Sequence, residues 1–113
     1  MAPGQITKGR RLPIGPDGKP EEWPTVPGDY VGPVKGYTGD LEACFFLKPN
    51  ARDDDAPRWA RSIQHVCFPP HTYRECADGS LEIRASIGDT AGTRAESDGW
   101  HGYLDEGHNW RQV

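Results

Sequence analysis

The chain reads as an all-β protein: a small antiparallel β-sandwich or roll, with one short helix and an extended Pro/Gly-rich N-terminal arm. Three observations carry this expectation. Beyond Asp29, short apolar segments alternate with turn residues at regular spacing. Leu81, Ile83, Ala85 and Ile87 fall on one side of an alternating run whose other side is Glu82, Arg84 and Ser86, the pattern of a half-buried strand. Asp78-Gly79 lies between Tyr73–Cys76 and that run, a strong hairpin signal. The division near Asp29 gives an arm over 1–28 and a β domain over 29–113.

The arm comes first. Met1–Pro33 holds seven of the chain's eleven prolines and several glycines, and its apolar residues Ile6, Leu12, Ile14, Trp23 and Val26 show no sustained period. Such a segment buries too little apolar surface to offset its own conformational entropy. Its order therefore has to come from a partner, which points to an assembly component. Lys8, Arg10 and Arg11 are its charged contact candidates and Trp23 its apolar anchor.

The domain elements follow in order. Asp29–Tyr37 is interrupted by Gly32 and Pro33 and reads as an edge strand. Gly39-Asp40 turns into Leu41–Lys48, where Ala43–Leu47 is a continuous apolar run, the mark of the most central strand. After a polar loop, Asp55 caps an expected helix at Pro57–Arg61 that would set Trp59 against the sheet. Ser62–Phe68 alternates, with Val66 and Phe68 on one face and Ile63, His65 and Cys67 on the other, and Pro69-Pro70 ends it. Gly88–Gly99 is expected as a loop. Trp100–Leu104 and Asn109–Gln112 form a last hairpin around Asp105–His108.

Composition narrows the function classes. With 113 residues, 35% of them hydrophobic, the domain is thinly cored, and aromatic packing, a metal or a partner would matter to it. A net charge of −4 argues against direct nucleic-acid binding. Three cysteines, Cys44, Cys67 and Cys76, make no disulfide framework. No apolar run approaches the ~20 residues that span a bilayer, so no membrane association is expected. The simplest compartment for such a chain is a reducing cytoplasm.

Candidate chemistry is sparse. His65, Cys67, His71 and Cys76 are the residue types zinc prefers, and a tetrahedral site would staple so small a domain. Their spacing matches no recognised finger, however, and no cofactor is the favoured reading, with zinc as the possible exception. Gly99–Tyr103 resembles the later half of a Rieske motif, yet Asp98 stands where cysteine is required. Nothing places a base beside Cys67 or Cys76, and no phosphate-cradling loop occurs. The acidic runs Glu21-Glu22 and Asp53–Asp55 sit in polar segments that would not split carboxylate pKa values. No catalytic residue is expected.

The aromatics remain. Trp100 and Leu104 share one strand face, His101 and Tyr103 the other, with Trp110 across the hairpin. His101 and Tyr103 are therefore candidate partner contacts. Asp78-Gly79-Ser80-Leu81, Ser86-Ile87, Trp100-His101-Gly102-Tyr103-Leu104, Gly107 and Trp110-Arg111, with His65–His71 upstream, resemble small proteins encoded by actinobacterial phages and prophages. The resemblance implies a phage origin and a compact β fold, and transfers no activity. The leading expectation is a non-enzymatic structural or assembly protein, a capsid decoration or minor virion component, whose arm binds neighbouring viral subunits. The alternatives are an intracellular accessory protein that inhibits a host factor, and a zinc-stabilised binding module.

Overall fold

The computed structural model describes residues 4–50, 63–89 and 100–113. They form nine strands: β1 (Ile6–Lys8), β2 (Arg10–Arg11), β3 (Asp29–Thr38), β4 (Leu41–Leu47), β5 (Ile63–Phe68), β6 (Thr72–Glu75), β7 (Leu81–Asp89), β8 (Trp100–Asp105) and β9 (Asn109–Gln112). One sheet has the order β1-β9-β8-β7-β6 and the other β2-β3-β4-β5. The all-β sandwich expected from the sequence is the fold observed. Among the described residues no helix is long and apolar enough to cross a membrane.

The core lies between the sheets because alternate residues point inward. Tyr30, Cys44, Phe46, Val66 and Phe68 come from one sheet, and Leu81, Ile83, Ile87, Trp100, Leu104 and Trp110 from the other. Trp110 sits at its centre, with ring centroids 5.1 Å from Phe46, 5.5 Å from Trp100 and 5.9 Å from Tyr30. Such offset and edge-on aromatic pairs stabilise a small core beyond their buried area. Gly102 fits under this packing. A Cβ there would lie 2.8 Å from the Trp100 ring and 2.0 Å from the Arg111 carbonyl oxygen.

The run Ala43–Leu47 is continuous because both faces of β4 are covered. Cys44 and Phe46 face the inter-sheet core, whereas Ala43 and Phe45 join Leu12, Val31 and Val34 in a second cluster. β4 runs between β3 and β5, the interior place its composition predicts. The Asp78-Gly79 hairpin also forms. Cys76 O accepts the Gly79 N–H at 3.0 Å, Cys76 N–H donates to Ser80 O at 2.9 Å, and Gly79 takes a φ of 87°.

Three expectations change. The segment 1–28, read as an arm awaiting a partner, packs along its described length on its own domain. β1 pairs with β9 and β2 runs parallel to β3, so the chain crosses from one sheet to the other at Gly9. A side chain at that crossing would collide with Gly28 O at 2.3 Å and Trp110 Nε1 at 2.7 Å. Leu12 is only 3% exposed and Pro24 is fully buried. Proline and glycine hide this role because the order comes from tertiary contacts rather than from any internal period.

β3 is not an edge strand. It lies between β2 and β4, and Gly32-Pro33 is absorbed in a register break between Val31 and Val34. β7 also runs past Ile87, pairing Gly88 with His101 and Asp89 with Trp100 where a loop was expected. The expected helix at 57–61, with Asp55 and Trp59, lies outside the described residues, as do 90–99.

Candidate functional site

The end of the sandwich where β2, the β3 bulge and two hairpin turns meet is built from charged side chains. Arg11 projects from β2 across to the opposite sheet. Its NH1 donates to Glu75 Oε1 at 2.7 Å and to Gly79 O at 3.0 Å, and its NH2 to Glu75 Oε2 at 2.9 Å and to Gly32 O at 2.8 Å. Hydrogen bonding by this guanidinium holds the Glu75 carboxyl below the ordinary range. One step away, Tyr30 Oη lies 2.6 Å from His108 Nδ1 and accepts the Leu81 N–H at 3.2 Å. Burial pushes the Tyr30 phenol up to about 12, so it stays protonated. An open cleft of about 480 Å³ lies at this end, lined by Arg11, Leu12, Pro13, Ile14, Gly32, Gly79 and His108.

A second feature lies on the outer face of the four-stranded sheet. The Trp23 ring meets Phe45 edge-on, with centroids 5.2 Å apart, and His65 lies over Phe45 at 5.8 Å. The turn after Trp23 is fixed by Asp29, which is 1% exposed. Its carboxylate accepts the Thr25 N–H at 3.2 Å and the Val26 N–H at 3.1 Å, and takes a two-pronged bond from Arg10 at 3.0 and 3.2 Å. Buried Pro24 anchors the same turn. Trp23 nevertheless stays 40% exposed and Val26 53% exposed. A large aromatic is thus presented from a rigid mount.

The sequence-derived contact residues fall into two groups. Lys8, Arg10 and Arg11 are spent within the chain: Lys8 Nζ donates to Gly107 O, Arg10 pairs with Asp29, and Arg11 with Glu75. Trp23 keeps two-fifths of its surface exposed. His101 and Tyr103 share the outer face of the five-stranded sheet. His101 Nε2 is 3.0 Å from Ser86 Oγ, and the guanidinium carbons of Arg84 and Arg111 lie over the Tyr103 ring, 5.0 and 4.7 Å from its centroid. Asp105 grips both arginines at 2.8 and 2.7 Å. Burial raises its carboxyl, but these contacts together hold it below the ordinary range.

The four zinc candidates are not brought together. His65 and Cys67 lie on the outer face of β5, whereas His71 Nε2 is 3.0 Å from Ser86 O and Cys76 closes the β6–β7 turn. Among the described residues, three possible ligands converge at Cys76, Asp78 and Glu106, with ligating atoms within 4.8 Å of one another. There Asp78 accepts from Ser80 and Glu106 from Arg74. Cys44 is fully enclosed, and burial pushes its thiol up to about 12, the opposite of an activated nucleophile.

Sequence reasoning missed Asp29, Tyr30 and Glu75, and placed His108 in a hairpin turn without its Tyr30 partner. An acid opening a strand just after Pro27-Gly28 is a signal for a capped turn, but the other three meet their partners only through the sheet-to-sheet packing. Comparison with family models, with curated proteins and with solved structures finds no match.

Proposed function

We propose that this chain is a non-enzymatic protein-binding component of a phage particle or its assembly, with Trp23 as the centre of its contact surface and other viral subunits as its partners. The observation that carries this reading is the half-exposed Trp23 ring, seated on Phe45 and mounted on a turn that Asp29, Arg10 and Pro24 immobilise. Interfaces draw most of their energy from a few such aromatic anchors. A side chain already held in place loses little freedom when a partner covers it. The basic residues then serve the interface indirectly, by fixing the segment that presents Trp23. His101 and Tyr103 supply a polar contact patch on the other sheet.

The phage assignment rests on the C-terminal Trp100-His101-Gly102-Tyr103-Leu104 pattern and its companions. The test is the copy number of the protein in purified particles, for the natural chain and for W23A. Loss of a hot-spot tryptophan costs about 2 kcal/mol or more, so W23A should be incorporated at least roughly tenfold less. Absence of the natural protein from particles, or equal incorporation of W23A, would refute the reading.

A further inference from the structure

The β8–β9 turn, residues 106–108, is fastened to four parts of the fold that are remote in sequence. Lys8 of β1 donates to Gly107 O, and Gly107 N–H donates to Ser80 Oγ of the β6–β7 turn at 2.9 Å. His108 O accepts the Gly9 N–H at 2.7 Å, at the crossing between the sheets. His108 itself has a φ of 63°, and its Nδ1 meets Tyr30 Oη of β3 at 2.6 Å.

The proton positions in this last contact follow from counting. The Tyr30 hydroxyl has one proton and already accepts the Leu81 N–H. Tyr30 is fully buried, so its one proton needs an acceptor within the protein, and His108 Nδ1 lies 2.6 Å away; Nδ1 in that role leaves the imidazole neutral with its own proton on Nε2. A second proton would occupy Nδ1, end its role as acceptor and leave the buried Tyr30 O–H without its partner. Buried polar groups lose free energy when stripped of a hydrogen bond.

The surroundings set when that proton arrives. Burial disfavours it, as do Lys8 from β1 and Arg11 from β2, whereas Asp78 from the β6–β7 turn favours it; the balance leaves the His108 pKa below its ordinary value. On the ring's own element, Asp105 is held by Arg84 and Arg111, and Glu106 by Arg74.

We propose that the His108–Tyr30 pair is an acid-sensitive latch: with neutral His108 it helps hold the β8–β9 turn beside the cleft, and protonation of the ring removes this one of the four fastenings and loosens the turn. His108 also lines the cleft, so the loosened turn is one of the cleft's walls. The latch is independent of whether Trp23 binds a partner.

The test is amide hydrogen exchange of the full chain at pH 7.5 and pH 5.0, corrected for intrinsic rates, a window in which the paired carboxylates stay ionised. Protection of Leu81 and Gly107 should fall roughly two- to tenfold at pH 5.0, the effect of one lost hydrogen bond. In H108Q it should not change between the two values. Should H108Q fail to fold, nitrogen-15 shifts of the natural protein's ring decide. The Nε2–H tautomer at pH 7.5, with Leu81 protection falling along the His108 titration, supports the latch. An Nδ1–H tautomer, flat Leu81 protection across the titration, or a folded H108Q that keeps the drop would overturn it.

Discussion

Arg11 and Glu75 form a two-pronged ion pair, at 2.7 and 2.9 Å, that ties β2 of one sheet to β6 of the other. The same guanidinium reaches carbonyls of the β3 bulge and the β6–β7 turn. A residue that looks like a charged contact for a neighbour is thereby an internal staple. It anchors a segment whose composition gives no order of its own.

Removing the staple should be costly at the arginine and mild at the acid. R11M strips four hydrogen bonds at once and should destabilise the protein by about 2 kcal/mol. Glu75 is half exposed, and E75Q should cost about 0.5–1 kcal/mol. Urea unfolding of both singles and the double variant gives a coupling energy. Independent, additive effects would show that the two residues do not act as a pair.

Asp29 is the equivalent anchor for the Trp23 mount. D29A removes the acceptor of two backbone N–H groups and of Arg10. It should cost about 2–4 kcal/mol, and Trp23 emission should shift to the red as its seat on Phe45 loosens. Limited proteolysis should then cut within residues 12–28 of D29A before any other site.

Two glycines are required by space rather than by conformation. A Cβ added at Gly9 or at Gly102 would lie within 2.3 Å of a carbonyl oxygen. G9A and G102A should each lower stability by about 3 kcal/mol or fail to fold. G88A is the control. Its Cβ would sit 3.7 Å from the His101 ring, an ordinary contact, so its melting temperature should stay close to that of the natural chain.

Acid should weaken the fold through its paired carboxylates. Glu75 and Asp105 titrate below their ordinary values when folded, held down by Arg11 and by Arg111 with Arg84. The unfolded chain therefore takes up their protons first. Their stabilisation is complete above the unfolded values of 4.5 and 3.8 and is lost as pH falls through the lower folded values. Urea midpoints should decline below about pH 4.5, less steeply in E75Q.

Much of the strand pattern was legible in the sequence, because alternation and turn residues act locally. Leu81–Ile87, the Asp78-Gly79 hairpin and the Trp100–Leu104/Trp110 face appear where the residues place them. The N-terminal segment was not legible, since its order comes from Gly9 under Trp110, Leu12 against Val31 and Val34, and Arg11 across to Glu75. These partners are separated by 64 or more residues in two of the three cases. Of the site residues, Trp23 stands out in sequence as an isolated aromatic among prolines. The His108–Tyr30 contact could not be foreseen, as the turn that holds His108 and the strand that holds Tyr30 lie far apart in sequence and meet only when the two sheets pack.

Residues 4–28 are part of the sandwich rather than an appendage to it. The direct measurement is the proton–nitrogen correlation spectrum and urea unfolding of a chain beginning at Asp29. Without β1, β2, Leu12 and the Arg11 staple, this chain should lose amide dispersion and show no cooperative transition. A dispersed spectrum that overlays the natural protein's for β3–β9, with a comparable unfolding midpoint, would contradict the account.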